Sequence, residues 1–386
     1  VTVNADTATD APASKRRRRG LRALLISLGA VLVLALAALG GAGWYFSGEV
    51  INVDHGPSEY GLTVLAVDAD SVTLPRGEAT EKPGTWGLAW EDGQAVIGEV
   101  LASDEDTVTR ALDRVLYGDL AVDTPARIDT WTYRDDPQTA LGLAYEEVAI
   151  PTELGDAPAW QLAGEGTTWV VTVHGRNASP AETLRGVEVY AALGYPVLAV
   201  THRNDEGAPA APDGLHSLGE YESDDVVDAV EYALDNGAED VVLHGWSMGG
   251  AIVSTAARKL ADTGVVKAVV LDSPVMDWNS TLDMQAADRD VIDPITWAAK
   301  RIVEWRADID LDDLDQRNFV DEFDMPMLLF VDTADETVDH TATLDFAERL
   351  PEGQATVVTT ASGHTASWNE DPAAYGAALT DFLASL

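Results

Sequence analysis

The chain has 386 residues, 66 of them acidic and 24 basic, for a formal charge of −42. A field of that sign repels nucleic acid and other polyanions and excludes them as partners, while the absence of cysteine excludes disulfides and a lipid-modified cysteine anchor. The length accommodates one large α/β domain and a smaller one.

Residues 1–14 are polar and rich in Ala, Thr and Asp, a composition expected to stay disordered. Lys15 to Arg19 and Arg22 extend this segment into a basic tail over 1–22. No charge follows from Ala23 to Gly48. That run is long enough to span a bilayer and longer than a signal-peptide core of about 7–15 residues. The arginines are expected to stay cytoplasmic, which makes the helix over 23–48 a single-pass signal anchor and sends the bulk of the chain outside the cell membrane. Trp44, Tyr45 and Phe46 fall where an aromatic belt belongs. The alternative is a cleaved signal peptide, for which small residues between Ala37 and Gly43 offer a site. Beyond residue 22, 18 basic side chains face 64 acidic ones.

Residues 50–137 read as a small β-rich domain. Leu62–Val67, Trp86–Trp90, Ala95–Leu101 and Ile128–Tyr133 are strand-like, and Glu91-Asp92-Gly93 is a hairpin turn. No catalytic constellation lies there, and Arg134 to Pro137 forms the boundary.

From Leu141 to Leu386, strand and helix patterns alternate after two opening antiparallel strands, Tyr145–Ile150 and Ala159–Leu162. Such alternation predicts a mostly parallel sheet covered on both faces. Thr168–Val173 is a strand ending in His174-Gly175-Arg176. Val197–Val200 follows as a strand after the helical run Ala181–Leu193, and Ser223–Leu234 is helical. Next, Val241-Val242-Leu243 feeds Gly245-Trp246-Ser247-Met248-Gly249, with an amphipathic helix behind it closed by Gly264. A serine on so sharp a strand-to-helix turn exposes its hydroxyl above the sheet, and the glycines two residues to either side lack the Cβ that would crowd it. The alternation stops between about 275 and 323, where a helix over Pro294–Arg306 and several tryptophans occur. Asp308 to Asp313 lacks the glycine and glutamate of a calcium loop and reads as a solvated acidic segment. Met327–Val331 is a buried strand before Asp332 and Asp335, and Ala355–Thr359 is another before Gly363-His364. A helix to Leu386 closes the chain.

This order of serine, acid and histidine resembles that of the α/β-hydrolase superfamily, specifically its esterase/lipase and serine-aminopeptidase-like branches. The resemblance covers residues 141–386. It implies an α/β-hydrolase fold with a cap insertion over 275–323, and a triad of Ser247, His364 and Asp335, with Asp332 and Asp277 as rival acids. It also implies an oxyanion hole from the backbone N–H groups of Met248 and Arg176, supported by Gly245, Gly249, His174 and Gly175. Serine needs a base to take its proton, histidine changes charge near neutral pH, and the acid fixes the imidazole tautomer. His340 and His244 read as packing residues. The expected activity is hydrolysis of small or lipid-like carboxylic (thio)esters through an acyl-enzyme, without metal or organic cofactor. Peptide hydrolysis and a silent binding module of the cell envelope are the alternatives.

Overall fold

The computed structural model describes residues 13–56 and 59–386, with side chains from Leu21 onward. The disorder expected over residues 1–14 lies outside the described residues, save that Ala13 and Ser14 already open the helix Ala13–Ile51. The basic tail is therefore helical from residue 13, a correction with a simple cause. Lys and Arg are good helix formers, and they run directly into an apolar helical stretch. The helix is long and apolar enough to cross a membrane, with its large hydrophobic side chains from Leu21 to Leu36 exposed.

A seven-stranded antiparallel sheet follows. Its strand order is Leu62–Thr63, Pro125–Asp129, Trp86–Trp90, Gly93–Ser103, Thr107–Tyr117, Ser71–Pro75, Ala66–Val67. The single strand expected over Leu62–Val67 is two short ones, because Leu62 pairs with Ala126 whereas Ala66 pairs with Thr73. The strand expected over Ile128–Tyr133 ends at Asp129, where the Asp129 carboxylate accepts the Trp131 N–H and Thr132 turns at φ 66°. Thr107–Tyr117 escaped sequence reading because Arg110 sits at an inward position. Its buried guanidinium donates to the carbonyls of Gly98, Thr80, Lys82 and Gly84, and burial lowers its pKa to about 10.

The second sheet has eight strands, ordered Ala355–Thr360, Met327–Asp332, Val266–Asp272, Asp240–Trp246, Thr168–Val173, Val197–Val200, Gly155–Leu162, Glu146–Thr152. Strands from Ala355–Thr360 to Val197–Val200 pair in parallel, and the last two pair antiparallel. Alternate residues of the parallel strands point to opposite faces. Val171, Leu243, Val269 and Leu329 meet the helices Glu222–Asp235, Met248–Lys259 and His340–Arg349. Val170, Val242, Val270 and Leu328 meet Leu184–Ala192 and Pro372–Ala384. Both faces are thus covered by apolar helix surfaces, so the strands read as continuous apolar runs.

Between Val266–Asp272 and Met327–Asp332 the chain leaves the sheet and forms two helices, Trp278–Asp288 and Asp293–Ala307, then the 3-10 segment Gln316–Glu322. Asp277 caps the first helix by accepting the Asn279 N–H. The far end of Ala13–Ile51 packs on Asp293–Ala307. Gly43 makes this approach possible, since a Cβ there would lie 3.0 Å from Ile302 Cδ1 and 3.1 Å from Ala298 Cβ.

Candidate active site

In a parallel sheet the loops at the carboxyl ends of the strands converge, and Ser247, Asp335 and His364 each lie just past the end of such a strand. Ser247 follows Asp240–Trp246 directly, with φ 53° and ψ −120°, a strained conformation for a residue with a side chain. Three main-chain bonds hold the turn. The Ser247 N–H donates to Asp272 O at 3.0 Å, and the Ser247 carbonyl accepts from Gly250 at 2.9 Å and Val275 at 3.2 Å. The flanking glycines are sterically required. A Cβ on Gly245 would stand 2.2 Å from Gly249 O, and one on Gly249 would stand 2.2 Å from Val173 O.

His364 follows Ala355–Thr360 and places Nε2 2.8 Å from Ser247 Oγ. Its Nδ1 lies 2.7 Å from Asp335 Oδ2. The other Asp335 oxygen accepts the N–H groups of Thr337 at 2.8 Å and Val338 at 2.9 Å, which fixes the carboxylate in its loop. The rival acids are engaged elsewhere. Asp332 accepts from Ser362 N–H, Thr360 Oγ1 and Ala334 N–H, and Asp277 pairs with Arg317.

The loop after Thr168–Val173 lies against the nucleophile, since a Cβ on Gly175 would be 3.0 Å from that of Ser247. Glu182, buried, accepts the Gly175 N–H at 2.6 Å. His174 is fully buried, with Nε2 2.9 Å from Asp205 Oδ2 and its ring stacked on His202 at 4.6 Å. Burial disfavours charge on His174, but the adjacent Asp205 carboxylate outweighs it and raises the His174 pKa. Met248 opens the helix directly behind Ser247, and Arg176 is the residue after Gly175. His174, His202 and Asp205 have donor atoms within 4.8 Å of one another, close enough to share a cation. The His174–Asp205 hydrogen bond already uses that proximity to fix the loop.

Neither His244 nor His340 hydrogen-bonds to Ser247, Asp335 or His364. His244 stacks on Trp246 at 3.6 Å and bonds to Tyr190 and Tyr375, and burial drives its pKa well down. His340 begins the helix His340–Arg349.

Several contributors had no signature in the sequence. Arg185 is fully buried and donates to Thr365 O at 2.6 Å, Asn369 Oδ1 at 2.9 Å and Thr130 O at 3.1 Å. It thereby ties the histidine loop to the end of the β-rich sheet. Its only signal was a charged residue in the helical run Ala181–Leu193. Lys82, from the β-rich part, donates to Ser362 O at 3.3 Å and lines a cavity with His364 and Thr337. That part therefore reaches the rim of the site, a role beyond the separate domain expected for it. Arg176 donates through its guanidinium to Glu49 O at 2.9 Å and Val50 O at 3.1 Å, at the end of the N-terminal helix.

The fold and this arrangement define a serine hydrolase of the α/β-hydrolase superfamily. Residues 186–385, more than half of the chain, match the prolyl oligopeptidase family, and the chain belongs to that family. The match includes Ser247, Asp335 and His364 but begins after the His174–Arg176 loop. Residues 63–129 match a domain of unknown function, DUF8805, which falls on the antiparallel sheet. Among solved structures, the chain is similar to esterase Pf2001 of Pyrococcus furiosus. One crystal form is 19% identical with TM-score 0.53, covering 65% of this chain and 96% of that one. A second is 21% identical with TM-score 0.53, covering 65% and 94%. At these identities the likeness concerns the fold. None of the curated protein sequences compared with the chain matches it.

Proposed function

We propose that Ser247 hydrolyses carboxylic esters or thioesters through an acyl-enzyme, with His364 as general base and acid and Asp335 as its orienting carboxylate. The observation that carries the reading is the unbroken relay from Asp335 Oδ2 through His364 to Ser247 Oγ, with contacts of 2.7 and 2.8 Å. His364 Nε2 takes the hydroxyl proton as Ser247 Oγ bonds to the acyl carbon. The Met248 and Arg176 N–H groups stabilise the oxyanion. Collapse of the tetrahedral species breaks the bond to the leaving group, which receives the proton from His364. Water, deprotonated by the same imidazole, then releases the acid and restores the serine. Residues 141–386 form the catalytic domain, 275–323 its cap and 50–137 an accessory β-rich domain.

Peptide hydrolysis is the second reading, favoured by membership of the prolyl oligopeptidase family. Both reactions need every step above. Comparing kcat/KM for p-nitrophenyl esters with that for prolyl and aminoacyl p-nitroanilides separates them. Ser247→Ala abolishes whichever is catalysed, and wild-type turnover in that variant refutes the proposal.

The same proposal anchors the chain in the cell membrane through the uncharged span 23–48 of the helix Ala13–Ile51, N-terminus cytoplasmic and catalytic domain outside. Its support is the basic cluster before an apolar span whose side chains stay exposed. Protease added to wall-stripped cells digests the Ser247-containing peptides if this is right, and their protection reverses the topology.

A further inference from the structure

We infer that the last turns of the N-terminal helix form one wall of the acyl-chain site, and that this site receives the hydrocarbon tail of an ester resident in the bilayer. The inference rests on the serine-hydrolase reading above and specifies its substrate. At about 1.5 Å per residue, the run from Leu21 to Ala42 spans about 33 Å, close to the ~30 Å hydrocarbon core. Leu39 and Ala42 are already partly covered on one face, and the next residue, Gly43, is buried against Ala298 and Ile302 of the cap. Trp44 and Tyr45 follow, 52% and 61% exposed, and the cap presents Trp297 and Trp305, 63% and 73% exposed. The Trp44 and Trp305 rings lie 6.3 Å apart, and the Arg306 guanidinium covers Trp44 at 4.4 Å. Exposed tryptophans from segments some 250 residues apart thus gather at one level, the level of the lipid headgroups. The cap rests on the bilayer by continuity with the helix.

A cavity of about 250 Å³ opens at this junction. Phe46 and Val50 come from the N-terminal helix, Leu282 and Ala286 from the first cap helix, and Ala299 and Val303 from the second. Its inner end meets the catalytic loops on two sides. Arg176 lines it, holds the helix-end carbonyls of Glu49 and Val50, and adjoins Gly175, which packs on Ser247. Gln285 lines it as well and donates at 2.7 Å to the carbonyl of Thr337, two residues after Asp335. The cavity therefore lies between the membrane surface and the catalytic loops, with Arg176 and Gln285 on the side toward those loops and Glu49, Arg289, Thr296 and Lys300 interleaved with its apolar walls. Phe46, Val50, Leu282, Ala286, Ala299 and Val303 offer a hydrocarbon chain an apolar wall away from water.

The test uses the full chain in phosphatidylcholine nanodiscs, with rates normalised to the fraction of protein that a fluorophosphonate labels. With p-nitrophenyl esters, kcat/KM rises from acetate to octanoate by up to about fourfold per methylene, as burial of each one predicts. Ala286→Trp fills the cavity and lowers the octanoate-to-acetate ratio at least tenfold. Phe46→Ala, on the membrane helix itself, shifts the same ratio severalfold and decides the matter if the tryptophan variant fails to label. Dioleoylglycerol in the enzyme's own discs is hydrolysed at least tenfold faster than the same lipid in separate discs. A flat chain-length profile, a ratio unmoved by the variants, or equal rates from the two disc populations overturns the inference. If labelling persists in those cases, the serine-hydrolase reading stands. Failure of the wild type to label at all defeats that reading instead.

Discussion

Replacing Asp335 by asparagine exchanges one carboxylate oxygen for an amide nitrogen, and the surroundings decide which one. Oδ1 accepts two main-chain N–H groups, from Thr337 and Val338. An amide nitrogen there would face two donors, so the oxygen keeps that place and the NH2 group turns to His364 Nδ1. The imidazole must then accept at Nδ1 and carry its proton on Nε2, the atom 2.8 Å from Ser247 Oγ. In that tautomer it cannot take the serine proton. By analogy with other serine triads the loss in kcat is about 10⁴-fold, or about 5 kcal/mol of transition-state stabilisation at 1.36 kcal/mol per factor of ten. Size and main-chain contacts are retained, so the melting temperature changes little. Steady-state hydrolysis of p-nitrophenyl butyrate, with thermal unfolding in parallel, measures both. A loss below tenfold in a folded Asp335→Asn enzyme refutes the reasoning, as does an equal loss in Asp277→Asn.

Three further outcomes follow from the packing around the site. Gly249→Ala puts a methyl group 2.2 Å from Val173 O, a main-chain atom of the central sheet that cannot rotate away. The cost reaches or exceeds the usual overpacking range of about 1–3 kcal/mol, and denaturant unfolding shows it. Arg185→Met strands the acceptors at Thr130, Thr365 and Asn369. It costs at least about 2 kcal/mol in urea unfolding and lowers kcat about tenfold through the histidine loop; unchanged kcat in folded protein contradicts the positioning role. Burial raises the Asp272 carboxyl to about 6 from an ordinary value of 3.8. Because the native pKa is the higher one, the native state holds this proton more tightly. The associated stability is complete below about pH 4 and lost as pH rises through about 6, on the order of 3 kcal/mol in all. Asp272→Asn removes that slope, and urea midpoints measured from pH 4 to 7 on both proteins reveal it.

The parts of the site legible in the sequence were those that local backbone chemistry dictates. Glycines crowd Ser247 on either side because a sharp turn leaves no room for Cβ, and the apolar strands before Asp335 and His364 mark the sheet end where their loops emerge. The long helix of the inserted segment was readable as Pro294–Arg306, within one residue at each end of the observed Asp293–Ala307. What escaped is set by contacts across long stretches of chain. Arg185 looks like any arginine in an amphipathic helix until the fold buries it against Thr130 and Thr365. Arg110 broke the alternation of its strand because four carbonyls, unpredictable from spacing, surround it. The helix end at Glu49 and Val50 lies just past the apolar span read from composition, and its attachment to Arg176 is visible only in three dimensions. The β-rich sheet likewise gave no sign that Lys82 would reach the histidine loop.

The role of Ser247 as nucleophile can be read chemically. Its most direct test is mass spectrometry of the full chain after reaction with a fluorophosphonate, with peptide mapping of the adduct. One phosphonyl group per molecule is expected, carried by Ser247 and absent from Ser247→Ala. Folded wild-type protein that remains unmodified, or that carries the adduct on another residue, contradicts it.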